Sequence, residues 1–276
     1  MSSASTSGRS SHFESHFAFG ENWADYARTI DEQRLALAEQ ALIRLLGEEG
    51  IRGRSLLDIG CGSGLHAAAA ARLGVSDILA VDIDPVSVET ARAVLERFAG
   101  AGRYEVKVSS LFDLSPDRTF DIVYAWGVLH HTGDMWHAID RAAGLVRHGG
   151  TLAIALYAKT PMCGFWRLEK RLYASSPKAL QRVIRAIYKV AFFAALVVTG
   201  RNPVTYVRTY QTRNRGMNWH HDVHDWLGGY PYESTTPEEV KSFLESRGFA
   251  LERSFTIKPR FGLLGTGCNE YVFRKR

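Results

Sequence analysis

Cysteine is scarce in this chain of 276 residues: Cys61, Cys163 and Cys268 stand far apart and never adopt Cys-x-x-Cys spacing. That excludes a disulfide frame and points to a reducing compartment. Long apolar runs are lacking as well. The uninterrupted run Val190 to Val198 has nine residues, whereas about 20 are needed to span a bilayer, so it is expected to be buried, interfacial or at a subunit contact. The N-terminus has no apolar core of signal-peptide length; Met1 to Ser11 is serine-rich and reads as a disordered tail on a cytoplasmic protein. Acids are almost missing from one segment: between Ala158 and Gly216 twelve Lys or Arg face the single acid Glu169, a net +11 within a chain whose total is +5.

What is present suffices for a core. With 46% apolar and 11% aromatic residues, global disorder is excluded. The length fits one large α/β domain with an elaboration, or two small domains. Strands are expected near 55–59, 78–83, 104–108, 120–126 and 151–157, with helices near 31–46, 64–73, 85–98 and 135–146, the last of these ended by Gly149-Gly150. Pro237 to Arg247 reads as a further helix, with proline at its first position and Gly248 just past its end. Phe249–Ile257 and Asn269–Arg274 read as the last strands. Alternation at this spacing implies a parallel sheet with right-handed crossovers and ligands at the carboxyl ends of the strands.

The chain is organised around Leu56-Leu57-Asp58-Ile59-Gly60-Cys61-Gly62-Ser63-Gly64. It is a buried strand entering a glycine turn and then an alanine-rich helix, a turn whose bare amides a ligand can approach. The next apolar strand, Ile78 to Ile83, carries Asp82, 24 residues after Asp58. That is close to the spacing of about 20 at which nucleotide folds place a carboxylate for ribose hydroxyls.

These residues, with Val81-Asp82-Ile83-Asp84-Pro85 and Phe120-Asp121-Ile122-Val123 leading into Val128-Leu129-His130-His131, resemble the successive motifs of class I S-adenosylmethionine (SAM) methyltransferases, in particular the ubiquinone-methylase-like branch. The resemblance covers roughly residues 50–157 and the C-terminal strands. It implies an α/β fold: a Rossmann-like, seven-stranded, mostly parallel sheet with an antiparallel last strand and a largely helical lid insertion. Residues 1–50 would form the tail and a cap helix, 51–157 the SAM-binding core, 158–236 the basic lid, and 237–276 the completion of the core. The cofactor implied is SAM, with S-adenosylhomocysteine (SAH) as its product. Gly60, Gly62 and Gly64 would approach its methionine part, Asp58 would serve the turn or the amino group, and Asp82 and Ile83 the ribose side. Leu111 and Phe112 would sit at the adenine, and Trp126, ending the fourth strand with Gly127, beside the sulfonium. An aromatic face there favours a cation.

The acceptor side is less determined. Phe13, Phe17, Phe19, Trp23 and Tyr26 either staple an N-terminal helix to the core or, as the resemblance implies, fold over the cofactor, with Trp23 and Tyr26 closing the site. His130 and His131 either take a proton from the acceptor or fix the turn after the fourth strand. In Trp219-His220-His221-Asp222-Val223-His224-Asp225-Trp226, His220 and His224 would share a face of a helix, and with Asp222 or Asp225 that is raw material for a metal site. Binding of the acceptor or closure of the site is the other reading, and no metal is assigned. His220 and Asp222 are catalytic candidates beside the earlier histidine pair. His221, Asp225, Tyr230, Tyr232, Glu233, Arg260 and Asn269 are expected at the substrate.

The segment from 158 to 236 is too long for a connection of about 2–6 residues, so a lid or small subdomain is expected there. Leu180, Val183, Ile184, Ile187 and Ala191 form one helical face and Lys178, Arg182, Arg185 and Lys189 another. Such helices occur at membrane surfaces and against anionic partners. The reading is a methyltransferase acting on a small or medium organic acceptor, anionic or lipid-linked, with oxygen as the first choice of atom and nitrogen or carbon open. A peripheral contact with the inner membrane surface would run through the basic insertion. RNA as substrate and a non-catalytic SAM-binding protein that docks to a membrane are the rivals. Nucleic acid is disfavoured because the aromatics are not interleaved as a stacking platform.

Overall fold

The computed structural model describes Phe17, residues 19–100 and residues 102–276; the expected tail, with Phe13, lies outside the described residues. Seven strands form one sheet: β1 (Ser55–Ile59), β2 (Asp77–Asp82), β3 (Tyr104–Val108), β4 (Phe120–Trp126), β5 (Val146–Tyr157), β6 (Phe249–Phe255) and β7 (Cys268–Lys275). The order is β3-β2-β1-β4-β5-β7-β6. Pairs from β3 through β5 are parallel, and β7 runs antiparallel to both its neighbours, as expected. Eleven helices are described: α1 (Phe19–Ala27), α2 (Glu32–Leu46), α3 (Leu65–Arg72), α4 (Pro85–Phe98), α5 (Met135–Gly144), α6 (Cys163–Ser175), α7 (Lys178–Val198), α8 (Pro203–Arg208), α9 (Tyr210–Arg213), α10 (Trp219–Gly228) and α11 (Pro237–Glu245).

Helix ends follow local chemistry. Asp31 caps α2, Asp84 caps α4 ahead of Pro85, and Thr236 and Glu239 close a reciprocal capping box at α11; each such cap is worth about 1 kcal/mol. The two faces of the sheet bury separate layers. Leu56, Ile78, Ala80, Ile122 and Tyr124 pack with α2, α3 and α4. Leu57, Leu79, Val81, Val123 and Ala125 pack with α5 and α11. The strict alternation along β1, β2 and β4 is the period of two that a doubly covered sheet requires.

The structure departs from expectation in β5. It begins at Val146, and Gly149-Gly150 lies inside the strand as a bulge, where pairing shifts between Phe120 and Ile122. A Cβ on Gly150 would meet two carbonyl oxygens at 2.9 Å, so the pair serves close backbone approach, not helix termination. Helix α1 was not anticipated. α1 is held to α4 where the amide of Gly20 donates to the side chain of Asp84 at 2.9 Å; a Cβ on Gly20 would lie 2.4 Å from that carboxylate.

Five helices, α6 to α10, stand between β5 and α11. Their apolar centre is aromatic: Tyr157, Trp166, Tyr173, Trp219, Trp226 and Tyr232. Among the described residues, no helix is long and apolar enough to cross a membrane.

Candidate active site

Three glycines with φ of +66°, +53° and +76° make the turn after β1. Amides of Gly60 and Cys61 both donate to the carbonyl of Val81, at 2.7 and 3.0 Å, which ties the turn to β2. The glycines differ in purpose. A Cβ on Gly64 would lie 2.7 Å from the Cα of Ala91, so this one admits α4 against α3; one on Gly60 would strike Val128, and one on Gly62 would touch the Trp23 ring at 3.1 Å.

Asp82 faces the turn from the neighbouring strand. Its carboxylate accepts from the amides of Gly62 and Asp84, both at 3.0 Å. Burial raises its pKa, and those amides oppose the rise. Asp58 is 3% exposed; burial, then the charge of Asp82, pushes its carboxyl up to about 7. Ile83 is exposed. Leu111 and Phe112 share a short 3-10 turn in which Leu111 is buried and Phe112, partly exposed, lies 4.9 Å from the ring of His137.

At the end of β4, Trp126 donates from Nε1 to Glu270 at 2.8 Å. Over its ring sits the guanidinium of Arg215, 3.1 Å from the centroid. Arg215 also donates to Nε2 of His66 at 3.2 Å, and its backbone is left-handed, φ +54°. Burial, then this guanidinium, holds the pKa of His66 well below the ordinary imidazole range, so His66 is a neutral acceptor. The cation on the aromatic face is thus supplied by the chain itself. Sequence reading missed Arg215, counting it among twelve basic residues; its one local signal is its place directly before Gly216.

Beyond β5 lies a ring of aromatic and imidazole groups. His130 is fully buried, accepts from the amide of Tyr157 at 3.3 Å and lies 3.8 Å from that ring. Burial, then His131 and Lys170, lowers its pKa well below normal. This geometry fits the turn-fixing role. His131 bonds through Nδ1 to the carbonyl of Pro231 at 2.7 Å and packs on Phe19 and Tyr157. Lys170, also unflagged by the sequence, is fully buried, with Nζ 3.6 Å from the Trp226 centroid and within 5.6 Å of the Tyr157 and Tyr232 rings. Burial pulls its pKa down.

The four catalytic candidates do not form one group. His130 and His131 touch at 4.4 Å, Asp222 accepts from the hydroxyl of Tyr210 at 2.7 Å, and His220 meets Lys189 at 3.0 Å. Asp222 rises to about 6 through burial. Although α10 puts His220 and His224 four apart, His224 bonds Tyr173 at 2.9 Å. Among the described residues no three His, Cys, Asp or Glu could hold a metal.

Trp23 covers the glycine turn, and Tyr26, fully buried, stacks edge-on with it and donates to the carbonyl of Gly216 at 2.9 Å. Asp225 accepts from Asn22 at 2.6 Å, and His221 meets Asp25 at 3.1 Å. Several expected substrate residues have structural partners. Glu233 accepts from the amide of Met135 at the start of α5, at 2.9 Å. Asn269 is buried and accepts from the amide of Ile257 at 3.0 Å. The Tyr232 hydroxyl bonds Thr266 at 3.2 Å and Cys163 at 3.3 Å. Tyr230 precedes Pro231 in the turn, and Arg260 is exposed beside Gly267.

Residues 57–154 match the model of a family described as a methyltransferase domain. A 27-O-demethylrifamycin SV methyltransferase from Amycolatopsis mediterranei is 33% identical over 52% of this chain and 54% of its own length. A ubiquinone biosynthesis O-methyltransferase from Xanthomonas campestris is 35% identical over 40% of this chain and 45% of its own. The chain therefore spans about half the length of the curated relatives it matches. Among solved structures, the magnesium protoporphyrin IX methyltransferase of Synechocystis with bound SAH superposes with a TM-score of 0.53 at 15% identity, covering 88% of this chain and 83% of that one. The N-methyltransferase NodS of Bradyrhizobium japonicum with SAH gives 0.51 at 13%, covering 94% and 98%. At these identities the likeness is one of fold.

Proposed function

We propose that the chain, whose residues 57–154 match a methyltransferase-domain model, is a class I SAM-dependent enzyme that moves a methyl group from SAM to a small or medium organic acceptor that carries negative charge. The observation that carries the donor side is the glycine turn facing Asp82, with the buried Asp58 beside it. The turn presents backbone amides, the Asp82 carboxylate suits a pair of ribose hydroxyls, and a carboxyl held at about 7 by burial is a ready partner for an ammonium. These groups fit the donor, which when bound supplies an already activated methyl.

The residues of this chain then have to hold, orient and exclude water. Trp23 closes over Gly62, so α1 must swing from the turn to admit the donor and return to shed solvent. Arg215, flat on Trp126 at the end of β4, provides a fixed positive charge. There it would draw in an acceptor carboxylate or phenolate and favour attack as the anion. That charge supports oxygen as the atom methylated, in keeping with the O-methyl chemistry named for the two curated relatives.

A peripheral membrane contact belongs to the same reading, through a different face than expected. Along α7 the exposed stripe is Leu180, Val183, Ile187, Val190, Val197 and Val198, at 48–86% exposure, while Arg185 and Lys189 turn inward. Phe165, Leu168 and Leu172 of α6 are exposed too. The basic excess of this segment suits an anionic lipid surface on the cytoplasmic side and opposes pairing of two copies. Vesicles containing phosphatidylglycerol should pull down the chain, and an Ile187→Asp, Val190→Asp variant should stay in solution; equal sedimentation of both would remove the contact. For the reaction, labelled-methyl transfer from SAM into extract fractions, with mass spectrometry of the product, should yield one labelled small acid or phenol. No label together with no calorimetric binding of SAH would overturn the reading.

A further inference from the structure

We infer that the groove between α1, α7 and α10 is a binding site for a phosphate dianion carried by a small molecule. Its volume is about 430 Å³, within the range of roughly 300–1,000 Å³ common for small-molecule sites. Arg182, Arg185 and Lys189 line one wall, His220 and His221 another, and Asp25 the third. The three cations stand at i, i+3 and i+7 of α7, which puts them on one helical stripe.

The charges in this groove are unbalanced. Asp25 is committed to His221 at 3.1 Å and to Arg28 at 3.5 Å. Among the described residues no carboxylate pairs with Arg182 or Arg185. Lys189 spends a proton on Nδ1 of His220 at 3.0 Å; burial, then the charge of Arg185, lowers its pKa. Cations gathered without counter-charge are held at a cost that an entering anion removes, and paired guanidinium forks match phosphate geometry.

The site is separate from the glycine turn and independent of methyl transfer. α1 is the wall between the two: Trp23 lies against Gly62, while Asn22 and Asp25 line the groove.

The full chain should be titrated calorimetrically with inorganic pyrophosphate at fixed ionic strength. Saturable one-to-one binding is expected, weakened roughly 10–100-fold by Arg182→Gln with Arg185→Gln, since each lost charge-assisted contact is worth about a factor of ten. Arg171→Gln with Arg208→Gln removes the same charge from exposed positions outside the groove and should leave affinity unchanged; thermal melting checks that both variants fold. A second arm adds vesicles containing phosphatidic acid. If they compete with pyrophosphate, and the groove variant loses both, a lipid headgroup is the source of the phosphate; pyrophosphate binding that vesicles do not displace assigns a soluble one. Absence of saturable pyrophosphate binding, or equal weakening by both double variants, overturns the inference.

Discussion

Asp58 makes the donor site pH-dependent in a calculable way. Burial, then the charge of Asp82, lifts its carboxyl from 3.8 to about 7. Because the folded chain holds that proton more tightly than the unfolded one, stability falls as pH climbs from about 4 to 7, by about 1.4 kcal/mol per unit, and is flat above. The full penalty is about 4 kcal/mol at pH 8. Asp58→Asn should therefore raise the melting temperature of the ligand-free chain at pH 8 and leave it nearly unchanged at pH 4. Ligand binding should show the opposite face of the same linkage. If the ammonium of SAH returns Asp58 to an ordinary carboxylate, affinity at pH 6 should be roughly tenfold weaker than at pH 8, with close to one proton released on binding at pH 6. Calorimetry in two buffers of different ionisation enthalpy measures both quantities. Affinity that is level between pH 6 and 8 in the wild-type chain, or a slope that survives in Asp58→Asn, would refute the assignment.

Three further outcomes are expected. Asp82→Ala should weaken SAH by about 2–4 kcal/mol, since a pair of ribose hydroxyls loses a charged acceptor; unchanged affinity by calorimetry would tell against the ribose role. Arg215→Gln should raise KM for the labelled-methyl acceptor at least tenfold while leaving SAH affinity within a few-fold, and an unaltered KM would show that the guanidinium only packs on Trp126. Tyr26→Phe strips the buried partner from the carbonyl of Gly216 and should cost about 1–2 kcal/mol, visible as a melting point lower by a few degrees; no change would mean that water serves the carbonyl equally well.

The sheet was legible because its signals are local. Buried strands read as short apolar runs, Asp84-Pro85 and Thr236-Pro237 mark helix starts through caps that involve only neighbours, and the glycine turn announces its own conformation. Even there the chemistry was only partly readable: Gly64, expected at the ligand, also lets Ala91 of α4 approach, a contact between residues 27 apart. In the insertion the balance reverses. Spacing drew an apolar and a basic stripe on α7, yet Ile184 of the first packs on the aromatic centre while Val183 and Ile187 are exposed, so which residues face the body depends on what that centre offers. Tyr188, Phe192, Phe193 and Leu196 take the inward side and carry Arg185 and Lys189 with them. Lys170 and Arg215 were invisible for the same reason, since a cation over a ring 56 or 89 residues away leaves no periodic trace.

One short helix joins these observations. Along α1, Trp23 rests on the glycine turn, Asn22 reaches Asp225 and the groove, and Tyr26 holds the carbonyl of Gly216, the residue after Arg215. α1 has nine residues and docks chiefly on α4 and α10, too short to be stable alone. An anion bound by the α7 cations would sit against Asn22 and Asp25 of this helix, whose other side carries the Trp23 contact with Gly62. The donor turn and the groove therefore share α1 as a wall, and Tyr26 ties the same helix to the segment that carries Arg215.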